Sequence, residues 1–129
     1  MVQVLGKVSA SMANGTYPVT VTATGSGQIY TETLSVKVVK YLVVMPGASF
    51  VPLSLTVPLG ATVTWLRLNG ELGTFDDGTH DINFQSPSLP VSPGIPQYDT
   101  FSYTFTKAGS YPYVCDYHPG MAGTITVTP

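Results

Sequence analysis

The sequence predicts an all-β fold, and three observations carry that expectation. Thr, Val and Tyr recur in alternating runs, a pattern suited to pleated, half-buried strands. The 13 Gly and 11 Pro punctuate those runs with turn signals. No stretch sustains apolar residues at the helical period of about 3.6. A chain of 129 residues can bury one core, so one compact domain with at most an appended subdomain is expected.

The first part, residues 1–40, reads as strands with turns. Val2 to Val8 has the look of an opening strand, ending in the Ser/Asn/Gly-rich stretch from Ser9 to Thr16. Val19, Val21 and Ala23 alternate with Thr20, Thr22 and Thr24, and Gly25-Ser26-Gly27 supplies a turn. From Ile29 to Val39, Tyr30, Leu34, Val36 and Val38 share one face and Thr31, Thr33, Ser35 and Lys37 the other, so the two runs should form a hairpin. A lone hairpin is marginal and needs something against its apolar face. The stretch from Asn14 to Val39 resembles, in composition, the closing strands of an immunoglobulin-like domain. Two readings stay open: these strands extend or cover the following sandwich, or they belong to a neighbouring domain or a dimer contact.

The second part, residues 41–129, begins with the short apolar run Leu42 to Val44. Phe50 to Leu59 alternates around Leu53, Leu55 and Val57, and Pro52 and Pro58 suggest an edge position. Gly60 turns the chain into Ala61 to Leu66, and Asn69-Gly70 opens a loop holding Glu71, Asp76 and Asp77. Counting by twos from His80 gives Ile82 and Phe84, so the imidazole is expected to point inward and Asp81 the other way. Ser86 to Gln97, with four prolines, is expected to be a stiff loop. Phe101, Tyr103 and Phe105 mark another strand, Tyr111, Tyr113 and Cys115 share a face of the next, and Gly123 to Thr128 returns as the last. The segment between Cys115 and Gly123 is then a hairpin tip.

That tip places a thiol at Cys115, an imidazole at His118 and a thioether at Met121, soft or borderline donors that together select copper over hard cations. His80 is the fourth candidate. The chain has one cysteine and two histidines, and all three fall in this set. Two imidazoles, one thiolate and a weak axial methionine are what a blue-copper electron-transfer centre requires. Each residue alone has a plainer reading: a buried Cys is commonly a small hydrophobe, and a methionine at this place can simply plug the loop.

A family resemblance joins these pieces. Phe50, Pro52, Val57, Gly60 and Thr62-Val63-Thr64-Trp65 are similar to the strand pair that precedes the first histidine ligand of cupredoxins. The run Gly109-Ser110-Tyr111 through Cys115, His118, Met121 and Gly123 to Val127 is similar to their carboxyl-terminal signature. The Cys-x-x-His-x-x-Met spacing resembles the short ligand loop of amicyanins. The resemblance covers residues 41–129 and implies a Greek-key β-sandwich holding one type 1 copper per chain, with Cys115, His80 and His118 equatorial and Met121 axial. It also implies that redox partner proteins dock on the uncharged surface at His118, Pro119, Gly120 and Met121. One departure stands out. Where cupredoxins commonly carry Asn after the first histidine, bonded across to the residue after the cysteine, this chain has Asp81 and Asp116; two carboxylates there repel unless one is protonated or both find donors.

The leading expectation is therefore an electron carrier and not an enzyme. Copper storage or delivery is the alternative, as is a cupredoxin piece of a multicopper oxidase or nitrite reductase, although a second copper centre needs more histidines than this chain has. The formal charge of −2 gives no reason to expect nucleic acid. Residues 41–129 hold all the acids except Glu32, and Glu71, Asp76, Asp77 and Asp81 could steer a basic partner. No run approaches the roughly 20 apolar residues of a membrane span. A monomer in an extracellular, periplasmic or cell-surface setting is expected, with any signal or anchor outside this stretch. Trp65, Tyr103, Tyr111 and Tyr113 read as packing, electron relay being the alternative.

Overall fold

The computed structural model describes residues 12–68 and 78–129. The expected opening strand at Val2 to Val8 and the loop acids Glu71, Asp76 and Asp77 lie outside the described residues. The chain divides into two compact units, Met1–Lys40 and Tyr41–Pro129.

In the first unit, β1 (Gly15–Gly25) and β2 (Gln28–Val38) form an antiparallel hairpin. Ser26 and Gly27 turn it, both at positive φ. Register puts Tyr17 opposite Val36, Val19 opposite Leu34 and Ala23 opposite Tyr30, while Thr20 faces Thr33 and Thr22 faces Thr31. One face is thus apolar and the other threonine-rich. Toward the turn this face is exposed, with Val19 41%, Leu34 45% and Tyr30 65% exposed, while Tyr17 and Val36 are half-buried.

The second unit has two four-stranded sheets. One runs β5-β10-β9-β7 and the other β4-β3-β6-β8, where β3 is Tyr41–Gly47, β4 Ser49–Val51, β5 Ser54–Pro58, β6 Thr62–Arg67, β7 Asn83–Phe84, β8 Thr100–Thr104, β9 Gly109–Val114 and β10 Ala122–Thr128. Pairs β3/β6 and β5/β10 are parallel and the other ladders antiparallel. This is the two-sheet β-sandwich that the resemblance implies, and the described residues contain no helix.

The edge stretch expected over Phe50 to Leu59 is divided into two strands. β4 pairs with β3 in one sheet and β5 with β10 in the other, so the chain changes sheets at Pro52-Leu53. Pro52 has no N–H to extend a ladder, and Leu53 is 62% exposed. Both pieces are edge strands.

Between the sheets lies an aromatic core. Trp65 packs edge-on against Phe84 and Tyr113, and Tyr113 packs likewise on Phe50. Val43, Met45, Val63, Ile82 and Ile125 fill the gaps with no exposed surface. Trp65, Tyr103, Tyr111 and Tyr113 all sit in or against this cluster, as packing requires.

Candidate metal centre

Strand β9 delivers Cys115 at its end, and the chain turns at once. The Cys115 N–H donates to the Met121 carbonyl (3.0 Å) and the Met121 N–H to that of His118 (3.0 Å), closing a tight loop. Gly120 sits at φ 87°, a conformation that costs a glycine nothing. The return strand β10 pairs Ala122 with Val114, so the ligand segment is the expected hairpin tip.

His80 reaches the same point from another loop. It forms an isolated bridge with Ile95, whose N–H donates to the His80 carbonyl at 2.7 Å. Ser92 clamps Ile82 from both sides, its hydroxyl accepting from the Ile82 N–H (2.8 Å) and its own N–H donating to the Ile82 carbonyl (3.0 Å). The buried Arg67 guanidinium donates to the Ile95 carbonyl. His80, Ile82 and Phe84 point inward and are fully or nearly fully buried.

These elements bring three donors together. Cys115 Sγ lies 3.8 Å from His80 Nδ1 and 3.5 Å from His118 Nδ1. All three donor atoms fall within 4.8 Å of one another, and the two imidazoles stack with centroids 4.6 Å apart. Bonds of roughly 2.0 Å to nitrogen and 2.3 Å to sulfur at trigonal angles would separate S from N by about 3.7 Å. The two S–N spacings fit such a centre. His80 and Cys115 are buried and His118 is half-exposed, giving an enclosed site with one imidazole at its mouth. Met121 is 3% exposed beneath the tip. It therefore contributes nothing to the uncharged surface, which is left to Pro119 and Gly120.

Burial pushes the Cys115 thiol above its ordinary range, opposed by backbone N–H groups of Asp81 and Tyr117 and reinforced by the Asp81 carboxylate. Without a cation the sulfur keeps its proton, so binding must displace it.

Asp81 corrects one expectation. It does not turn to solvent: it is 5% exposed, and its Oδ1 accepts the Asp116 N–H at 2.8 Å. So held, it is no steering charge. The predicted repulsion between Asp81 and Asp116 is met by separate donors, because Asn83 Nδ2 gives its hydrogens to both Asp116 oxygens, at 3.0 and 2.9 Å. Sequence reasoning missed Asn83, although period two places it on the same strand face as Asp81. It also missed Ser92 and Ile95, whose part depends on a loop without any period to read.

Comparisons with known proteins agree with this geometry. Residues 39–128 match the family described as copper binding proteins, plastocyanin/azurin family. The chain is 32% identical to amicyanin of Paracoccus denitrificans over 77 residues, covering 57% of this chain and 53% of that protein. It thus spans about half of that relative's length. Plastocyanin of Scenedesmus fuscus is 33% identical over 94 residues, covering 60% of this chain and 85% of that one. Among solved structures, a reduced Cu(I) form of an amicyanin mutant superposes with TM-score 0.59 at 28% identity, covering 68% of this chain and 81% of its own. A purple cupredoxin from Nitrosopumilus maritimus gives TM-score 0.58 at 27% identity over 69% of this chain and all of its own. A copper-containing nitrite reductase from Thermus scotoductus gives TM-score 0.59 at 35% identity, but only 22% of that chain is covered.

Proposed function

This chain belongs to the plastocyanin/azurin family of copper-binding proteins, and from that premise we propose that it is a one-electron carrier built on a single type 1 copper held by His80, Cys115 and His118, with Met121 as the weak axial donor. The observation that carries the reading is the enclosed trio of two imidazoles and a thiol, with both S–N spacings suited to a trigonal ion. Bound copper would supply a Cu(II)/Cu(I) couple.

What the chain does is hold the donors still. Ser92 and Ile95 fix the His80 loop, the hydrogen bonds inside the tip fix Cys115, His118 and Met121, and the stacked imidazoles restrain each other. Donors held from outside the metal shift little when its charge changes. His118 is the half-exposed ligand, beside the exposed and uncharged Pro119 and Gly120. That surface is where redox partner proteins would approach, each chain acting as a monomer outside the cytosol. The enzyme reading lacks material for a second copper centre, because the chain has two histidines and both lie in the trio. We read residues 1–40 as an appendage to the copper-binding part, consistent with the division into two units at Lys40.

One equivalent of Cu(II) added to the purified protein tests the proposal. An intense thiolate-to-copper charge-transfer band, narrow copper hyperfine splitting and bleaching by a mild reductant are expected. A weak tetragonal Cu(II) signal, or copper that exchanges faster than electrons do, would refute electron transfer and favour copper delivery.

A further inference from the structure

We propose that Asn83 is a positioning residue for the metal centre: its side-chain amide restrains the Asp116 carboxylate and so keeps the Asp116 N–H on Asp81 and the Cys115 sulfur aimed at the two imidazoles. Three hydrogen bonds link the parts. Asn83 Nδ2 meets both Asp116 oxygens at 3.0 and 2.9 Å, and the Asp116 N–H meets Asp81 Oδ1 at 2.8 Å.

Asn83 is itself well fixed. As the first residue of β7 it pairs with Val114 across the sheet, it bridges to Val91 on its other side, and its carbonyl accepts from Gln85 Nε2. It can therefore act as an anchor. The Asp116 carboxylate sits near that of Asp81, and the two repel. With the Asn83 amide removed, the Asp116 carboxylate loses both of these hydrogen bonds. The easiest relief is rotation about the bonds flanking the 115–116 peptide, which draws the Asp116 N–H off Asp81 and turns Cys115 with it. The other side of the site has no such dependence, since Ser92 and Ile95 hold His80 without help from Asn83. The side-chain hydrogen bonds that tie Asn83 to the tip go to Asp116, so its influence runs through that residue.

Three variants test this: Asn83→Leu, Asn83→Asp, and the exchanged pair Asn83→Asp with Asp116→Asn, which reverses the direction of the bond at unchanged total charge. The first readout is hydrogen exchange of the Asp116 amide in metal-free protein. For a charge-assisted hydrogen bond at an exposed site, Asn83→Leu should speed exchange about tenfold and Asn83→Asp more, with the exchanged pair returning to within about threefold of the parent. The second readout rests on the proposed function: release of Cu(II) to a chelator should accelerate in the same order, and the charge-transfer band should broaden. Exchange within about twofold of the parent in folded Asn83→Leu, or an exchanged pair no better than Asn83→Asp, would overturn the proposal. If Asn83→Leu does not fold, Asn83→Asp against the exchanged pair decides. If the parent shows no charge-transfer band, the electron-transfer reading fails, while the exchange rates still decide whether Asn83 positions Asp116.

Discussion

Replacing Gly123 by alanine is expected to destabilise the sandwich and damage the copper centre together. Gly123 lies directly opposite Tyr113 in the β9/β10 ladder, and the tyrosine ring folds over it. A Cβ at 123 would stand 2.5 Å from Tyr113 Oη and 2.6 Å from Cζ. Ordinary non-bonded contact is about 3.5–4.0 Å, so something must move by about 1 Å. The ring has little room, being 1% exposed with Phe50 and Trp65 at centroid distances of 4.8 and 5.5 Å. Overpacking of this kind costs about 1–3 kcal/mol, and a hemmed-in ring puts Gly123→Ala at about 2–3 kcal/mol. For a unit of this size that lowers the melting temperature by roughly 10–20 °C. If β10 bows outward instead, the neighbouring bond from the Cys115 N–H to the Met121 carbonyl stretches and the charge-transfer band weakens. Urea unfolding of Gly123→Ala in the parent and in a Tyr113→Leu background completes a double-mutant cycle, since leucine lacks the distal ring atoms. A loss below about 0.5 kcal/mol in the parent, or the same loss in both backgrounds, would refute the reasoning.

Tyr113 Oη is buried without a hydrogen-bond partner. Trp65 Nε1, likewise without one, is near enough to oppose the effect of burial in part, yet the pair misses hydrogen-bond geometry. Tyr113→Phe should therefore be neutral or stabilising by up to about 1 kcal/mol in thermal or urea unfolding. The same burial raises the phenol from its ordinary 10.0 to about 12. A raised acid stabilises the fold below the unfolded-state value and loses that contribution as pH climbs through the folded-state one. On the order of 3 kcal/mol should then be lost between roughly pH 10 and 12, and Tyr113→Phe should abolish this component of alkaline unfolding. For Cys115 the raised thiol must deprotonate on binding, so apparent copper affinity, measured by chelator competition, should rise with pH by up to about tenfold per unit until the folded thiol ionises. Deleting residues 1–40 should leave the copper spectrum and the melting temperature of the remaining unit unchanged; a lost band would mean that the hairpin supports the sandwich.

Strand identity was legible where a face alternates between core and solvent. Tyr111, Tyr113 and Cys115 on one face of β9, and His80, Ile82 and Phe84 on one face of their segment, needed no more than period two. The hairpin β1/β2 was legible for the same reason, and its faces came out as the pattern implies. The change of sheet at Pro52-Leu53 was not, because Leu53, Leu55 and Val57 continue an apparent alternation that takes no account of which neighbour each half pairs with. Asp81 was misread for a related cause. Period two sent it away from the core, which is right, but away from the core meant toward the Asp116 N–H and not toward water. Long-range partners of polar groups leave no local period, and the fastenings of the site at Asn83, Ser92 and Ile95 are all of that kind.

The placement of those fastenings bears on why so small a chain can hold a demanding centre. Bringing a thiol and two imidazoles within 4.8 Å buries polar groups that gain only long sulfur–imidazole contacts and one ring stack from one another until a cation arrives. The raised Cys115 thiol is one sign of that cost. The aromatic core offsets it. Tyr113 and Phe84, on the strands that lead to Cys115 and from His80, pack against each other and against Trp65, so both ligand-bearing segments share one rigid base. Above that base each segment is tied by backbone-directed hydrogen bonds rather than by the metal. A site organised this way demands little rearrangement when its metal gains or loses an electron, because the donors' positions are set during folding. Stiffness, and not ligand chemistry alone, is then what separates an electron carrier from a copper store made of the same residues, and on the proposed reading variants that loosen Asn83 or crowd Tyr113 should move this protein from the first behaviour toward the second.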